Sequence, residues 1–89
     1  MNLSSAEIRR EIRTFLLQEF LPGEDATVIT DETPLFTQGV LDSISILRLV
    51  LFMEKRFKIK LRAQDITRRH FDTIASAAEL VFSCRSRNR

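Results

Sequence analysis

Few side chains in this sequence are of types that do chemistry, and most of them stand alone. Cys84 is the only cysteine and His70 the only histidine, so neither has the partners of a catalytic pair or of a structural zinc site. The acidic pairs at residues 24–25 and 31–32 fall in a predicted loop, where solvation explains them better than acid–base work. The sequence therefore predicts no metal site, no catalytic residues and no enzyme activity.

The one remaining candidate is the hydroxyl of Ser43, which follows Asp42 where a predicted helix begins. Both residue types are favoured at helix N-termini, so an isolated Asp-Ser pair is most simply an N-cap. Gly39 precedes the pair by a few residues and permits a backbone conformation with positive φ ahead of the helix. Whether Ser43 does more than cap depends on the surrounding sequence.

Three stretches with helical apolar periodicity would position this serine. The first is residues 5–20, with Ser4 or Ser5 as its N-cap, and the second is residues 43–57, opened by Asp42-Ser43. The last begins near residue 74, with Asp72 or Thr73 as its cap. Between the first two lies a loop of about twenty residues, 22–41, a length that indicates function or packing by its own side chains.

The stretch between the second and last helices is predicted to be an extended connector at 58–62 and a short helical turn at 63–68. The sequence thus predicts an all-α, four-helix bundle with three main helices, one short helix and a long first loop. A chain of 89 residues allows a single domain, 1–89, which we expect to have its core at 5–82 and a frayed basic tail at 83–89.

The second helix carries two apolar stripes. One consists of Ile46, Leu49, Val50, Met53 and Phe57, and the other of Ile44, Leu47 and Leu51. The stripes start about 200° apart around the helix. A helix at the edge of a small bundle needs only one buried face, so the second stripe is either extra core or a docking surface.

The segment Thr33–Ile44, TPLFTQGVLDSI, resembles the attachment segment of acyl and peptidyl carrier proteins, in which a D-S-[L/I/M] motif opens the second helix. Glu54, Phe57, Ile59 and Leu61 resemble the E-x-x-F-x-I-x-L exit of that family's second helix. Phe71-Asp72-Thr73-Ile74 resembles the F-x-T-I entry to its last helix. The likeness covers roughly residues 5–82. Within the family, the chain resembles the discrete, stand-alone type of carrier.

The resemblance implies that a phosphopantetheinyl transferase attaches 4′-phosphopantetheine to Ser43 and that Asp42 engages this enzyme and its metal. The phosphodiester is an anion, which a helix N-terminus stabilises by about 0.3–1 kcal/mol. An adenylating ligase or acyltransferase would load the arm with an acyl or aminoacyl thioester, which downstream biosynthetic enzymes receive. We expect a monomer in the cytoplasm that binds neither nucleic acid nor membranes.

The charge of the chain is unevenly distributed. Residues 1–47 carry a net charge of −5 and residues 48–70 carry +6, although the whole chain is only +2. Fatty-acid carriers are usually acidic along the second helix, so a specialised pathway with acidic or apolar docking patches is expected here. The candidate docking residues are Ile44, Leu47, Arg48, Leu51 and Lys55.

Two other functions are compatible with the sequence. A carrier-like bundle that docks a partner without an arm shares the fold and the docking face, and only modification of Ser43 separates it from a carrier. A basic helical module that binds nucleic acid would use the +6 segment. Against the second alternative, the chain has no Trp or Tyr, and its acidic first half would repel phosphate.

Overall fold

The computed structural model describes residues 3–87. Within them the chain forms four α-helices and two 3-10 turns, with no strand. The helices are α1 (Ser5–Phe20), α2 (Ser45–Phe57), α3 (Arg68–Phe71) and α4 (Ile74–Arg87), and the 3-10 turns cover Ala26–Val28 and Ala63–Asp65. The predicted all-α bundle of three main helices and one short helix, with a long loop after the first, is confirmed.

The first helix begins at a reciprocal cap made by Ser4, one of the two N-caps that the sequence predicts. The Ser4 hydroxyl accepts the Glu7 N–H at 3.2 Å, and the Glu7 carboxylate accepts the Ser4 N–H at 3.2 Å. From there Ile8, Ile12 and Leu16 fall on one face at helical spacing and are buried. This face of α1 packs against α4 and α2.

The second helix begins at Ser45, two residues later than predicted. The Ile46 N–H donates to the Asp42 carbonyl at 3.0 Å, but the Leu47 N–H donates to the Ile44 carbonyl at 3.1 Å. An i→i−3 bond of this kind tightens the turn, so Ser43 and Ile44 belong to a turn that leads into the helix. The predicted apolar stripe that includes Leu49 and Met53 is buried, as expected.

The end of α2 is a left-handed residue that is not glycine. Lys58 has φ 55° and ψ 49°, and its N–H donates to the Glu54 carbonyl. The chain then continues as the predicted extended connector, in which Ile59 and Leu61 are buried. The Leu61 N–H donates to Glu54 Oε2 at 2.9 Å, which fixes the connector against the helix it leaves.

The short helix lies later than predicted. Residues 63–65 form a 3-10 turn, in which the Asp65 carboxylate accepts the Arg62 N–H at 3.0 Å. The helical residues that follow are Arg68–Phe71, with the Thr67 side chain as their cap. The expected helical turn at 63–68 therefore divides into two elements, because Asp65 closes the first turn onto Arg62 and Thr67 caps the second.

The expected frayed tail at 83–89 is wrong for the part that the structure describes. Helix α4 continues to Arg87, and Cys84 is 0% exposed. Cys84 lies three residues after the buried Val81, so it extends the apolar face by another turn. Residues 88–89 of the predicted tail lie outside the described residues. None of the helices within residues 3–87 is both long and apolar enough to cross a membrane.

Candidate functional site

The loop before α2 is fastened to the junction of α3 and α4. The buried Leu35 donates its N–H to the Asp72 carbonyl at 2.6 Å, and Phe36 donates its N–H to Asp72 Oδ1 at 3.3 Å. The Arg68 guanidinium lies over the Phe36 ring, 5.3 Å from its centroid. The sequence allows either Asp72 or Thr73 as the cap of α4, and Thr73 performs that function by accepting the Ser76 N–H at 3.0 Å.

The same loop is also tied to α1 through Asp31. Its carboxylate forms ion pairs with Arg9, at 3.4 Å, and with Arg13, and its carbonyl accepts the Ala75 N–H at 3.0 Å. One acidic residue thus joins the loop to α1 and α4. Solvation was the expected role of the acid pair at 31–32. The partners of Asp31 were not visible in the sequence, because they lie on helices remote along the chain.

A tight turn then leads from Leu35 to the serine. The Leu35 carbonyl accepts both the Val40 N–H at 2.9 Å and the Leu41 N–H at 3.2 Å. Gly39 has φ 79°, a positive value that glycine permits. Leu41 is buried directly before Asp42, so the residues that precede the serine are held to the core by a side chain.

Asp42 caps the turn that opens α2. Its Oδ1 accepts the Ser45 N–H at 2.7 Å and the Ile44 N–H at 3.0 Å. These backbone hydrogen bonds, chiefly that from Ser45, hold the pKa of the Asp42 carboxyl below its ordinary value. The carboxylate is therefore ionised near neutral pH.

Ser43 occupies the turn between this cap and the helix. Its side chain is exposed, and its hydroxyl has no hydrogen-bond partner among the side chains and backbone of residues 3–87. The anion was expected to be stabilised by the helix N-terminus, but the N–H groups of Ile44 and Ser45 at this end already donate to Asp42. An exposed primary hydroxyl on a fixed turn fits a covalent attachment. The site therefore offers an accessible hydroxyl and not a set of free N–H groups that would bind an anion.

The second stripe of α2 lies on the surface. The exposed fractions are 76% for Ile44, 53% for Leu47 and 66% for Leu51, so the interpretation of this stripe as extra core is wrong. Lys55 and Arg48 are exposed too. Arg48 also pairs with Glu19 of α1 at 3.4 Å, an engagement that the sequence did not reveal.

The other candidate residues in the sequence make local hydrogen bonds that stabilise turns. His70 Nδ1 lies 3.1 Å from both the Thr67 hydroxyl and the Asp65 carbonyl. Asp25 accepts the Thr27 N–H at 2.9 Å and caps the first 3-10 turn. Across residues 3–87, no three or more His, Cys, Asp or Glu side chains are grouped as a metal site would require.

Comparison with known proteins decides the family. The family model described as "Phosphopantetheine attachment site" matches residues 10–81, which include most of α1, the loop, the turn at Ser43, α2, α3 and the first part of α4. The chain belongs to this phosphopantetheine-attachment family. Its members are carrier proteins whose prosthetic group is 4′-phosphopantetheine, bound covalently to a serine. Membership favours the carrier interpretation over the basic nucleic-acid-binding module.

A relative of this phosphopantetheine-attachment domain is the lincomycin biosynthesis protein LmbN of Streptomyces lincolnensis. The two are 35% identical over 66 residues, which cover 74% of this chain. Those residues make up 24% of LmbN, so this chain spans about a quarter of that protein's length.

Proposed function

We propose that this domain is an acyl or aminoacyl carrier in which Ser43 bears the 4′-phosphopantetheine arm. The observation that supports it best is the exposed, unbonded hydroxyl of Ser43 at a turn fixed by Asp42, in a family that attaches this arm to a serine. When bound, the arm supplies a terminal thiol that carries an acyl or aminoacyl group.

The surroundings of the other serines support the choice of Ser43. Ser4 caps α1, Ser76 hydrogen-bonds Thr73, and Ser45 is half-buried in the first turn of α2. Ser5 and Ser83 lie within regular helices. Of the serines whose side chains the structure describes, Ser43 alone is exposed in an irregular turn, where a modifying enzyme can reach the hydroxyl from several directions.

The residues around Ser43 hold the attachment point still. Leu35 and Leu41 are buried on either side of the tight turn, while Asp72 accepts two N–H groups from the loop. The position of Ser43 is therefore fixed relative to the bundle. Tethering at a fixed point raises the effective concentration of the cargo at a docked enzyme.

The exposed stripe of α2 starts one residue after Ser43, which suits it to receive the enzymes that act on the cargo. The candidate docking residues are Ile44, Leu47, Arg48, Leu51 and Lys55, all exposed. Contiguous exposed apolar side chains rimmed by charge are typical of protein interaction sites. The partners would be a phosphopantetheinyl transferase, an adenylating ligase or acyltransferase, and downstream biosynthetic enzymes, in the cytoplasm.

Similarity to a lincomycin biosynthesis protein supports a specialised pathway. The basic α2 agrees with this, since a fatty-acid synthase enzyme with a basic docking patch would be repelled. The exposed stripe would equally serve an unmodified domain that only docks a partner, which is the second candidate function.

Intact-mass measurement after incubation with coenzyme A and a broad-specificity phosphopantetheinyl transferase tests the proposal. The wild-type protein and the neighbouring variant Ser45→Ala should each gain one phosphopantetheine, whereas Ser43→Ala should gain none. Circular dichroism would establish that all three proteins are folded. Folded wild-type protein that gains no mass would contradict the carrier proposal and favour the unmodified interaction domain, and modification of Ser43→Ala would place the arm on another residue.

A further inference from the structure

A shallow, solvent-open hollow of about 450 Å³ lies beside the last turn of α2. Its lining residues are Phe52, Lys55, Arg56 and Lys58. The Phe52 ring stacks on Phe15 of α1, with centroids 4.3 Å apart, and meets the Phe57 ring edge to face at 6.0 Å. These contacts hold the Phe52 ring in place, so the hollow has a fixed aromatic wall.

The cations around this hollow are not equivalent. Arg56 makes two hydrogen bonds of 3.1 Å to the Glu11 carboxylate on α1, and its charge is thereby balanced. Lys55 and Lys58 are exposed and have no ion-pair partner among the side chains that the structure describes. The neighbouring carboxylate, Glu54, accepts the Leu61 N–H. Two lysines without an ion pair among the described residues therefore border the hollow.

The hollow continues the exposed stripe of α2. Leu47, Leu51 and Lys55 follow one another at intervals of four residues and so lie on one side of the helix. At a rise of 1.5 Å per residue, Lys55 is about 18 Å along the helix from Ser43. A partner seated over Ser43 can therefore contact the exposed leucines and reach the hollow with one surface about three helical turns long.

We propose that the hollow is a second docking point, which receives an apolar side chain flanked by carboxylates from the surface of a partner enzyme. The apolar side chain would lie against Phe52, and the carboxylates would face Lys55 and Lys58. The partner class rests on the proposed carrier function, because it is the enzymes of the pathway that must dock. Paired opposite charges at such a rim raise the association rate and exclude partners with basic patches.

The charges and the exposed leucines of α2 favour an acidic protein over nucleic acid. Arg48 and Arg56, which a phosphate backbone would need, are neutralised by Glu19 and Glu11. A phosphate backbone would leave the exposed leucines of the stripe uncovered. An apolar surface with acidic residues on its edge would bury the leucines and form ion pairs with Lys55 and Lys58.

An NMR titration of the ¹⁵N-labelled protein tests this docking point. The probe is a synthetic amphipathic helical peptide with leucine and phenylalanine on one face and glutamate on its flanks, and the matched probe has lysine in place of glutamate. The acidic peptide should shift the amide signals of Leu51, Lys55 and Lys58. It should bind at least tenfold more tightly than the basic peptide.

Charge variants of the carrier complete the test. The double variant Lys55→Gln/Lys58→Gly should weaken binding of the acidic peptide at least tenfold. The double variant Lys60→Gln/Arg69→Gln, which also removes two positive charges but outside the hollow, should change it less than twofold. Equal binding of both peptides, or shifts confined to other surfaces, would overturn the proposal. Tighter binding of duplex DNA or of phosphatidylglycerol vesicles to the same residues would overturn it in favour of those partners.

The peptide assay needs no arm, so it separates the two proposals. Ser43→Ala should bind the acidic peptide as the wild type does. Failure of the peptide to bind a protein that accepts phosphopantetheine would remove the docking point and leave the carrier function intact. Peptide binding by a protein that accepts no phosphopantetheine would support the docking point and contradict the carrier function.

Discussion

Replacing Lys58 with glycine should give a more stable fold than replacing it with alanine. Lys58 has φ 55°, in the left-handed region where a side chain with a Cβ costs about 1–2 kcal/mol. Glycine removes this cost but loses about 0.5–1 kcal/mol through its greater freedom in the unfolded chain. Loss of the lysine charge at the helix C-terminus costs about 0.3–1 kcal/mol more. Lys58→Ala keeps the strain and loses the same charge, so it is the matched control.

The difference between the two variants isolates the backbone effect. We expect Lys58→Gly to exceed Lys58→Ala in free energy of unfolding by about 0.5–1 kcal/mol. For a domain of this size, that is a difference of roughly 2–8 °C in melting temperature. Urea denaturation with a shared m-value, checked by thermal melts, measures it. If the alanine variant were as stable as the glycine variant, the left-handed conformation would not be the source of strain at the end of α2.

Two further predictions concern the loop and its cap. Leu35→Ala, which removes a fully buried side chain that anchors the loop before Ser43, should lower the free energy of unfolding by about 2–5 kcal/mol. Urea denaturation should show a change within about 0.5 kcal/mol for Leu51→Ala, because that side chain is on the surface, and equal losses would contradict the assigned burial. Asp42→Asn should flatten the acid side of the stability profile. Because the pKa of Asp42 is lowered in the folded state, the stability its carboxylate contributes is complete above the ordinary value of 3.8 and is lost as pH falls through the lowered value. Parallel profiles for wild type and variant between neutral pH and pH 2 would show that the cap has no such effect.

The helices were predictable because their signals are local. The buried face of α1 and its Ser4–Glu7 cap are both contained within a short run of sequence. Helix boundaries were less predictable, since they depend on which polar group accepts a hydrogen bond from the backbone N–H groups at the helix end. Asp42 takes two of them and delays the regular part of α2 to Ser45. The polar neighbours of Cys84 predict a frayed tail, although the position of Cys84 itself continues the buried face of α4.

The anchoring of the candidate site was not predictable from sequence. Asp72 and Asp31 both hold the loop by contacts with residues more than ten positions away, and such pairs have no signature in a single sequence. The position of Ser43, by contrast, followed from the spacing of the residues that resemble the carrier family. Its accessibility depended on the structure, as did the exposure of the second stripe of α2.

The burial of Cys84 would allow the thiol of an attached arm to be labelled selectively. A fully buried thiol is inert towards alkylating reagents, and this chain contains no other cysteine. The thiol at the tip of an attached arm would then be the sole reactive sulfur of the folded protein. A maleimide dye would label the arm once per molecule without any engineered cysteine, so the movement of the arm between the bundle and a partner enzyme could be followed in the native sequence.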